Sequence, residues 1–224
     1  MGTLIAVSRA VDRFISTIGK LASWLLLPLM AVILLDVITR KFNLLTDARD
    51  YFADNGMIAG KDFIEAYLTS TKFQELEWHL HAALFLLCLG FGYVKNAHVR
   101  IEIIRERFPI RTKAWLELIG VVFFIFPYAS LILYFGSDFA LRSYELNEVS
   151  AALTGLSHRF IIKAFVPIGM VLVLIAAVAV ALRNIVYLFG SPELRDQAQK
   201  EAGELHLPEE QLPKIDDASP AGHA

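Results

Sequence analysis

The stretch AFVPIGMVLVLIAAVAVAL, residues Ala164–Leu182, runs for 19 residues without a charge. At 1.5 Å of rise per residue, about 20 residues cross a hydrocarbon core of about 30 Å. This run therefore reads as a membrane span. LIGVVFFIFPYASLILYFGS, residues Leu118–Ser137, qualifies in the same way. Two shorter uncharged runs, Leu21–Leu35 and Leu80–Val94, reach spanning length with their flanks: the first through Asp36 to Ile38, the second back through Trp78 to Leu76. Lipid supplies no water to backbone amides, and none of the runs alternates as a barrel strand does, so all four should be helices. The expected fold is an all-α integral membrane protein with four transmembrane helices, at residues 20–39, 76–95, 115–137 and 162–187.

A hydrophobic fraction of 56% and a mean hydropathy of +0.52 lie far above soluble norms. Both are concentrated in the four runs, so a single membrane domain over residues 1–190 accounts for most of the chain. The net charge of −2 comes with basic residues at juxtamembrane positions instead of one patch, which argues against a nucleic-acid partner. The lone cysteine, Cys88, sits mid-run, excluding an internal disulfide or a CxxC motif, and is expected to be a small core residue. No cofactor is expected.

Orientation follows from Lys and Arg near the helix ends. Arg9, Arg13 and Lys20 precede the first run, and Lys95, Arg100, Arg105, Arg107, Arg111 and Lys113 crowd the short loop between the second and third. Basic residues in the other loops are more dilute. The middle loop is therefore assigned to the cytoplasm, which with four spans puts both termini there. Trp24, Tyr93, Trp115 and Tyr187 then fall near the cytoplasmic interface, and Trp78 and Tyr144 near the opposite one, as an aromatic belt requires. The basic N-terminal stretch followed by an apolar run resembles a signal peptide. No small-x-small site follows it, and the run ends in Asp36-Val-Ile-Thr-Arg40-Lys41, so the expectation is an uncleaved first span.

The outer loop, residues 42–73, carries mixed charge and an Asn55-Gly56 turn signal. Phe63, Ile64, Tyr67 and Leu68 recur at helical spacing, so Lys61–Thr69 is expected to form a short amphipathic helix on the outer face. Within a cytoplasmic interfacial segment at 96–112, residues 96–108 interleave Val99, Ile101, Ile103, Ile104 and Phe108 with charges; Ile101, Ile104 and Phe108 share one helical face while Val99, Ile101 and Ile103 also alternate as in a strand, and a helix ended by Pro109 is expected. The acidic stretch 191–224, with four prolines, is expected to be a disordered cytoplasmic tail.

The runs hold almost nothing ionisable, whereas transport pathways and proton relays need polar groups at membrane depth. Tyr128, Ser130 and Tyr134 are the notable polar side chains of the third and fourth runs. Pro28, Pro127, Pro167 and Gly90-Phe91-Gly92 do not cluster into a broken-helix site. Four spans without a polar centre fit a supporting subunit, neither an enzyme nor a complete transporter. A stand-alone channel is disfavoured by the same lack of a polar stripe. Charges gather instead at one rim: Asp36 and Arg40, able to pair at i,i+4, then Glu75, Glu77, Trp78, His79 and His81. A haem-binding membrane anchor of a redox complex is the competing idea, resting on His79, His81 and His158. His79 and His81 fall near the outer interface and point to opposite sides of a helix, His158 precedes the fourth run, and the usual arrangement of histidines buried within spans is missing.

Residues 73–81, Phe-Gln-Glu-Leu-Glu-Trp-His-Leu-His, followed by an apolar helix with Gly90 and then by Asn-Ala-His-Val-Arg-Ile-Glu-Ile at 96–103, resemble the small membrane (DctQ-like) subunit of tripartite ATP-independent periplasmic (TRAP) transporters. The resemblance covers about residues 15–190. It matches Asp36 and Arg40 to a pair ending the first span, Glu75, Glu77 and Trp78 to the opening of the second, and His98, Val99 and Arg100 to the segment after it. The long first loop is similar to a branch associated with organic acids. The resemblance implies a bacterial inner-membrane complex in which a periplasmic substrate-binding protein delivers a carboxylate to a large membrane subunit, which moves it inward with sodium by an elevator motion. This chain would then be a scaffold in the phospholipid bilayer with no substrate site, and Asp36, Arg40, Glu75, Glu77, Trp78, His98 and Arg100 would be docking candidates.

Overall fold

The computed structural model describes residues 2–97, 108–152 and 154–203. Helix α1 (Gly2–Ser23) is followed by α2 (Leu26–Lys41), α3 (Leu44–Asp54), α4 (Ile58–Tyr67) and α5 (Ser70–Val94). After the basic segment come α6 (Ile110–Gly120), a π-helical turn (Val121–Ile125), α7 (Phe126–Glu145), α8 (Phe160–Phe189) and α9 (Pro192–Gly203). Among the described residues there is no strand, and four helical stretches are long and apolar enough to cross a membrane: Gly2–Lys41, Ile58–Val94, Ile110–Glu145 and Phe160–Phe189.

Pro28 and Pro127, in the first turns of α2 and α7, are absorbed locally, whereas Pro167 lies inside α8. Pro28 has no amide to offer the Trp24 carbonyl; Leu27 N–H takes that carbonyl at 3.2 Å and Leu25 N–H takes that of Ala22 at 2.9 Å. These tight turns separate α1 from α2. Pro127 likewise leaves the Phe123 carbonyl without its usual donor, and the turn just before it widens to π geometry while Ile110–Glu145 stays helical.

Helix ends follow a common device. Asn43, Asn96 and Asn147, each two residues beyond the last helical residue of α2, α5 and α7, adopt left-handed φ values of 50°, 55° and 46°. Asparagine tolerates this conformation better than other non-glycine residues, and it returns amides to the last open carbonyls, as Ala97 N–H does to Gly92 at 2.9 Å and Glu148 N–H to Ser143 at 3.0 Å. Gly56, at φ 67°, ends α3 in the same way and forms the Asn55-Gly56 turn.

Helix α8 is the hub, packed against α5, α6 and α7, α1 and α9. Its Ala176, Ala177 and Ala179 are fully buried, and small side chains there let neighbouring backbones approach closely. At the α5–α8 crossing, a Cβ on Gly90 would meet the Leu172 carbonyl oxygen at 2.9 Å. Helix α1 seals this core: Ile15 packs with Val94, Leu172 and Ala176, while Ile5 packs with Val186 and Ala198. Helix α2 leans mainly on α5 and leaves most of its surface exposed.

Three stretches differ from the sequence expectation. The chain before residue 20 is helical from Gly2 and packs on the bundle. The outer loop 42–73 contains α3, α4 and the first turn of α5, with α4 at Ile58–Tyr67 where a helix over Lys61–Thr69 was expected. Pro192–Gly203, within the stretch expected to be disordered, forms α9, because Ala198 and Leu194 supply an apolar contact for Ile5 and Val186. The remainder of that tail and most of the interfacial segment 96–112 lie outside the described residues.

Candidate functional site

The rim charges are gathered around the start of α5. Asp36, the only carboxylate on α2, has no solvent exposure. Its two oxygens are used inside the chain: Ser70 donates to Oδ1 at 2.9 Å, and Arg40, one turn along α2, pairs with Oδ2. A buried carboxylate is tolerated only when its lone pairs are met in this way. The Arg40 side chain remains 54% exposed beyond the pair. It lines a shallow groove with Asn43, Arg49, Glu65 and Thr69.

Glu75, on the second turn of α5, clamps the loop between α7 and α8. Its carboxylate accepts the Ser150 hydroxyl on one side of the loop neck and the Leu156 amide on the other. The neck is also closed by Ser150 N–H to the Leu156 carbonyl at 3.1 Å and by Arg159 N–H to that of Glu148 at 3.2 Å. Thr69 adds a hydrogen bond to the Thr154 carbonyl at 3.2 Å. Gly155 fits because a Cβ there would run into Ser150 at 2.3 Å and Glu75 at 2.8 Å.

Trp78, 40% exposed, stacks beside His79 and lies under the Arg159 guanidinium, 5.5 Å from the ring centroid. The His79 ring nitrogen Nδ1 is bonded to the Glu75 carbonyl. Below Arg159, Lys163 pairs with Glu148 and sits 3.9 Å from the centre of the Phe139 ring. The Lys163 hydrogen bond holds the Glu148 carboxyl below its ordinary range. Glu77 is half-buried on α5.

Of the residues singled out by sequence, the structure thus puts Asp36 and Arg40 together with Ser70, and Glu75 and Trp78 together with the α7–α8 loop. His98 and Arg100 lie outside the described residues. Sequence reasoning missed Ser70, Ser150, Leu156 and Glu148, the partners of the rim charges. They stand 34 to 81 positions from Asp36 or Glu75, or pair Lys163 from a loop, and no periodic pattern links them.

The opposite end of the bundle holds a second polar knot. Arg183, 8% exposed, pairs with Asp12 of α1, Ser8 donates to the Ala179 carbonyl at 3.1 Å, and Asn184 reaches Glu117 of α6 at 3.4 Å. Between the two knots the helix cores are apolar. Among the described residues no three His, Cys, Asp or Glu side chains are placed to hold a metal ion. The geometry offers helix-end clamps and exposed apolar faces.

A family model described as tripartite ATP-independent periplasmic transporters, DctQ component, matches residues 62–186. No curated protein and no solved structure matches the chain.

Proposed function

The chain belongs to the DctQ component family of tripartite ATP-independent periplasmic transporters, and from that premise we propose that it is the fixed scaffold of such a transporter in the bacterial inner membrane. It is a multi-pass membrane protein and a transporter component. In the proposed complex a periplasmic binding protein delivers an organic acid to a large membrane subunit, which carries it inward with sodium by an elevator motion. This chain holds the stationary part of that subunit and widens its footprint in the bilayer.

The observation that carries the reading is the division of polar groups. The described ionised clusters sit at the two ends of the bundle, where they tie helices to one another, and the core between them is built of Ala, Gly, Leu and Val. A group that binds ions or a carboxylate in mid-membrane needs polar ligands there. A scaffold needs rigid helices and open apolar faces, such as those of α2 and α7.

The rim is proposed as the docking region, with a division of labour. Asp36 and Glu75 are spent on internal bonds and position their neighbours; Arg40, Glu77 and Trp78 are open to a partner, and His98 and Arg100 are assigned to the same task on the cytoplasmic side. The deciding experiment is affinity purification of the chain, tagged at its C-terminus, from native membranes in mild detergent. Stoichiometric recovery of one larger, many-span membrane protein is expected. Recovery of the chain alone, or with redox subunits, overturns the reading.

A further inference from the structure

Helix α1 shows three different edges. Ile5, Ser8, Ile15, Gly19 and Ala22 are buried against α5, α8 and α9. At about 100° per residue, Arg9, Arg13 and Lys20 fall within about 40° of each other on an exposed edge. Val7, Phe14 and Leu21, spaced by seven residues and also exposed, form a third edge roughly 120° from the basic one. Trp24, 68% exposed, stands one turn beyond Lys20.

Length shows where these edges must lie. The stretch Gly2–Lys41 is 40 residues, or about 60 Å, about twice a hydrocarbon core. Helix α2, with the turn before it, supplies most of the apolar crossing, and α1 runs antiparallel along the end of α8 that carries Arg183, with Ile5 against Val186 and Ile15 against Leu172 and Ala176; its N-terminal part therefore lies at the membrane boundary, and the long side chains of its basic edge extend toward that boundary. An apolar edge left exposed by the protein belongs in acyl chains. A basic edge beside it then meets the headgroups, the arrangement of an interfacial helix with cations on its polar flank.

We propose that α1 is a docking surface for anionic phospholipid, with Arg13 and Lys20 as the phosphate-facing cations, Arg9 on the same edge, and Val7, Phe14 and Leu21 set among the acyl chains. The charge complementarity is with a negatively charged leaflet; each cation near such a surface favours it by about fivefold. The proposal concerns the bilayer and holds or fails independently of the transporter partner.

Trp24 is the reporter. The full chain carrying Trp78→Phe and Trp115→Phe is reconstituted in phosphatidylcholine bilayers containing a minor fraction of phosphatidylglycerol, with bromine on the acyl chains of one lipid or the other. Quenching of Trp24 by brominated phosphatidylglycerol is expected to exceed, several-fold for its mole fraction, that by brominated phosphatidylcholine, and the preference is expected to shrink with salt. Arg13→Gln with Lys20→Gln should remove the preference, while Arg13→Lys with Lys20→Arg should keep it. Equal quenching by the two lipids in the parent, a preference that survives the neutral pair, or its loss in the charge-conserving pair overturns the proposal.

Discussion

Gly90 of α5 and Gly169 of α8 occupy the two sides of one helix crossing: a Cβ on Gly90 would lie 2.9 Å from the Leu172 carbonyl oxygen, and one on Gly169 would lie 2.8 Å from that of Leu86. Each glycine thus faces the backbone of the other helix one turn from the other glycine. Backbone is the neighbour in both cases, so neither site can yield by rotating a side chain. Overpacking of this kind costs about 1–3 kcal/mol. Gly90→Val or Gly169→Val should lower the thermal midpoint of the detergent-solubilised chain by several degrees, whereas Gly120→Ala, where an added Cβ meets nothing within 4 Å, should leave it nearly unchanged. An unshifted midpoint in the two valine variants would show that the crossing is looser than described.

Glu75 holds the loop between α7 and α8 through two donors, the Ser150 hydroxyl and the Leu156 amide. Glu75→Leu removes both acceptor oxygens, which leaves the Leu156 amide and the Ser150 hydroxyl without their shared acceptor. The expected cost is about 1–3 kcal/mol, felt locally. Hydrogen exchange at the amides of Ser150, Gly155 and Leu156 should accelerate at least tenfold, with the amides of α8 little changed. Unaltered exchange at those three amides would mean that the loop is closed by its own backbone bonds.

The pair of Lys163 and Glu148 gives a pH signature. The bond from Lys163 holds the Glu148 carboxyl below its ordinary value of 4.5. A depressed carboxyl contributes stability that is complete above that ordinary value and is lost as pH falls through the lower folded value. The stability of the parent should therefore fall below pH 4.5 more steeply than that of Glu148→Gln, with the two curves parallel at neutral pH. Parallel curves through the acid range would remove Glu148 from the account.

Arg183 and Asp12 join α8 to α1 in a setting where Arg183 is nearly buried. Removing either charge alone leaves the other in a poor environment, so single losses should exceed the loss from removing both. In a double-mutant cycle, Asp12→Asn and Arg183→Met should show a coupling energy of about 1–3 kcal/mol, measured by unfolding in detergent. Additive effects would mean that α1 is held by Ile5, Ser8 and Ile15 without help from the ion pair.

Arg40 and Glu77 test the docking rim. Substituting alanine at Glu77 should reduce recovery of the proposed large membrane partner severalfold while leaving insertion of the chain intact, because its exposed part is not needed by the bundle; Arg40→Ala should lower both, because it leaves the buried Asp36 carboxylate without its cation. Asp36→Ala should impair both, since it removes the acceptor for Ser70 and Arg40 inside the fold. Full recovery of the partner with Arg40→Ala and Glu77→Ala would move the interface elsewhere, to the open faces of α2 or α7.

The sequence by itself determined the number and type of the apolar crossings. A run such as Ala164–Leu182 has to satisfy its backbone within itself, so composition and length decide its structure without reference to any other part of the chain. It also showed that Asp36 and Arg40 stand one turn apart, because i,i+4 pairing is a property of a single helix, and that Asn55-Gly56 makes a turn. Only the tertiary structure decided what the rim charges bind. The distances in sequence from Asp36 to Ser70, from Glu75 to Ser150 and from Asp12 to Arg183 are set by how helices pack, and no local periodicity encodes them. The same holds for α1 and α9. Their short apolar edges become helix-stabilising only when Ile5, Val186 and Ala198 meet, since helices in proteins gain most of their stability from tertiary packing.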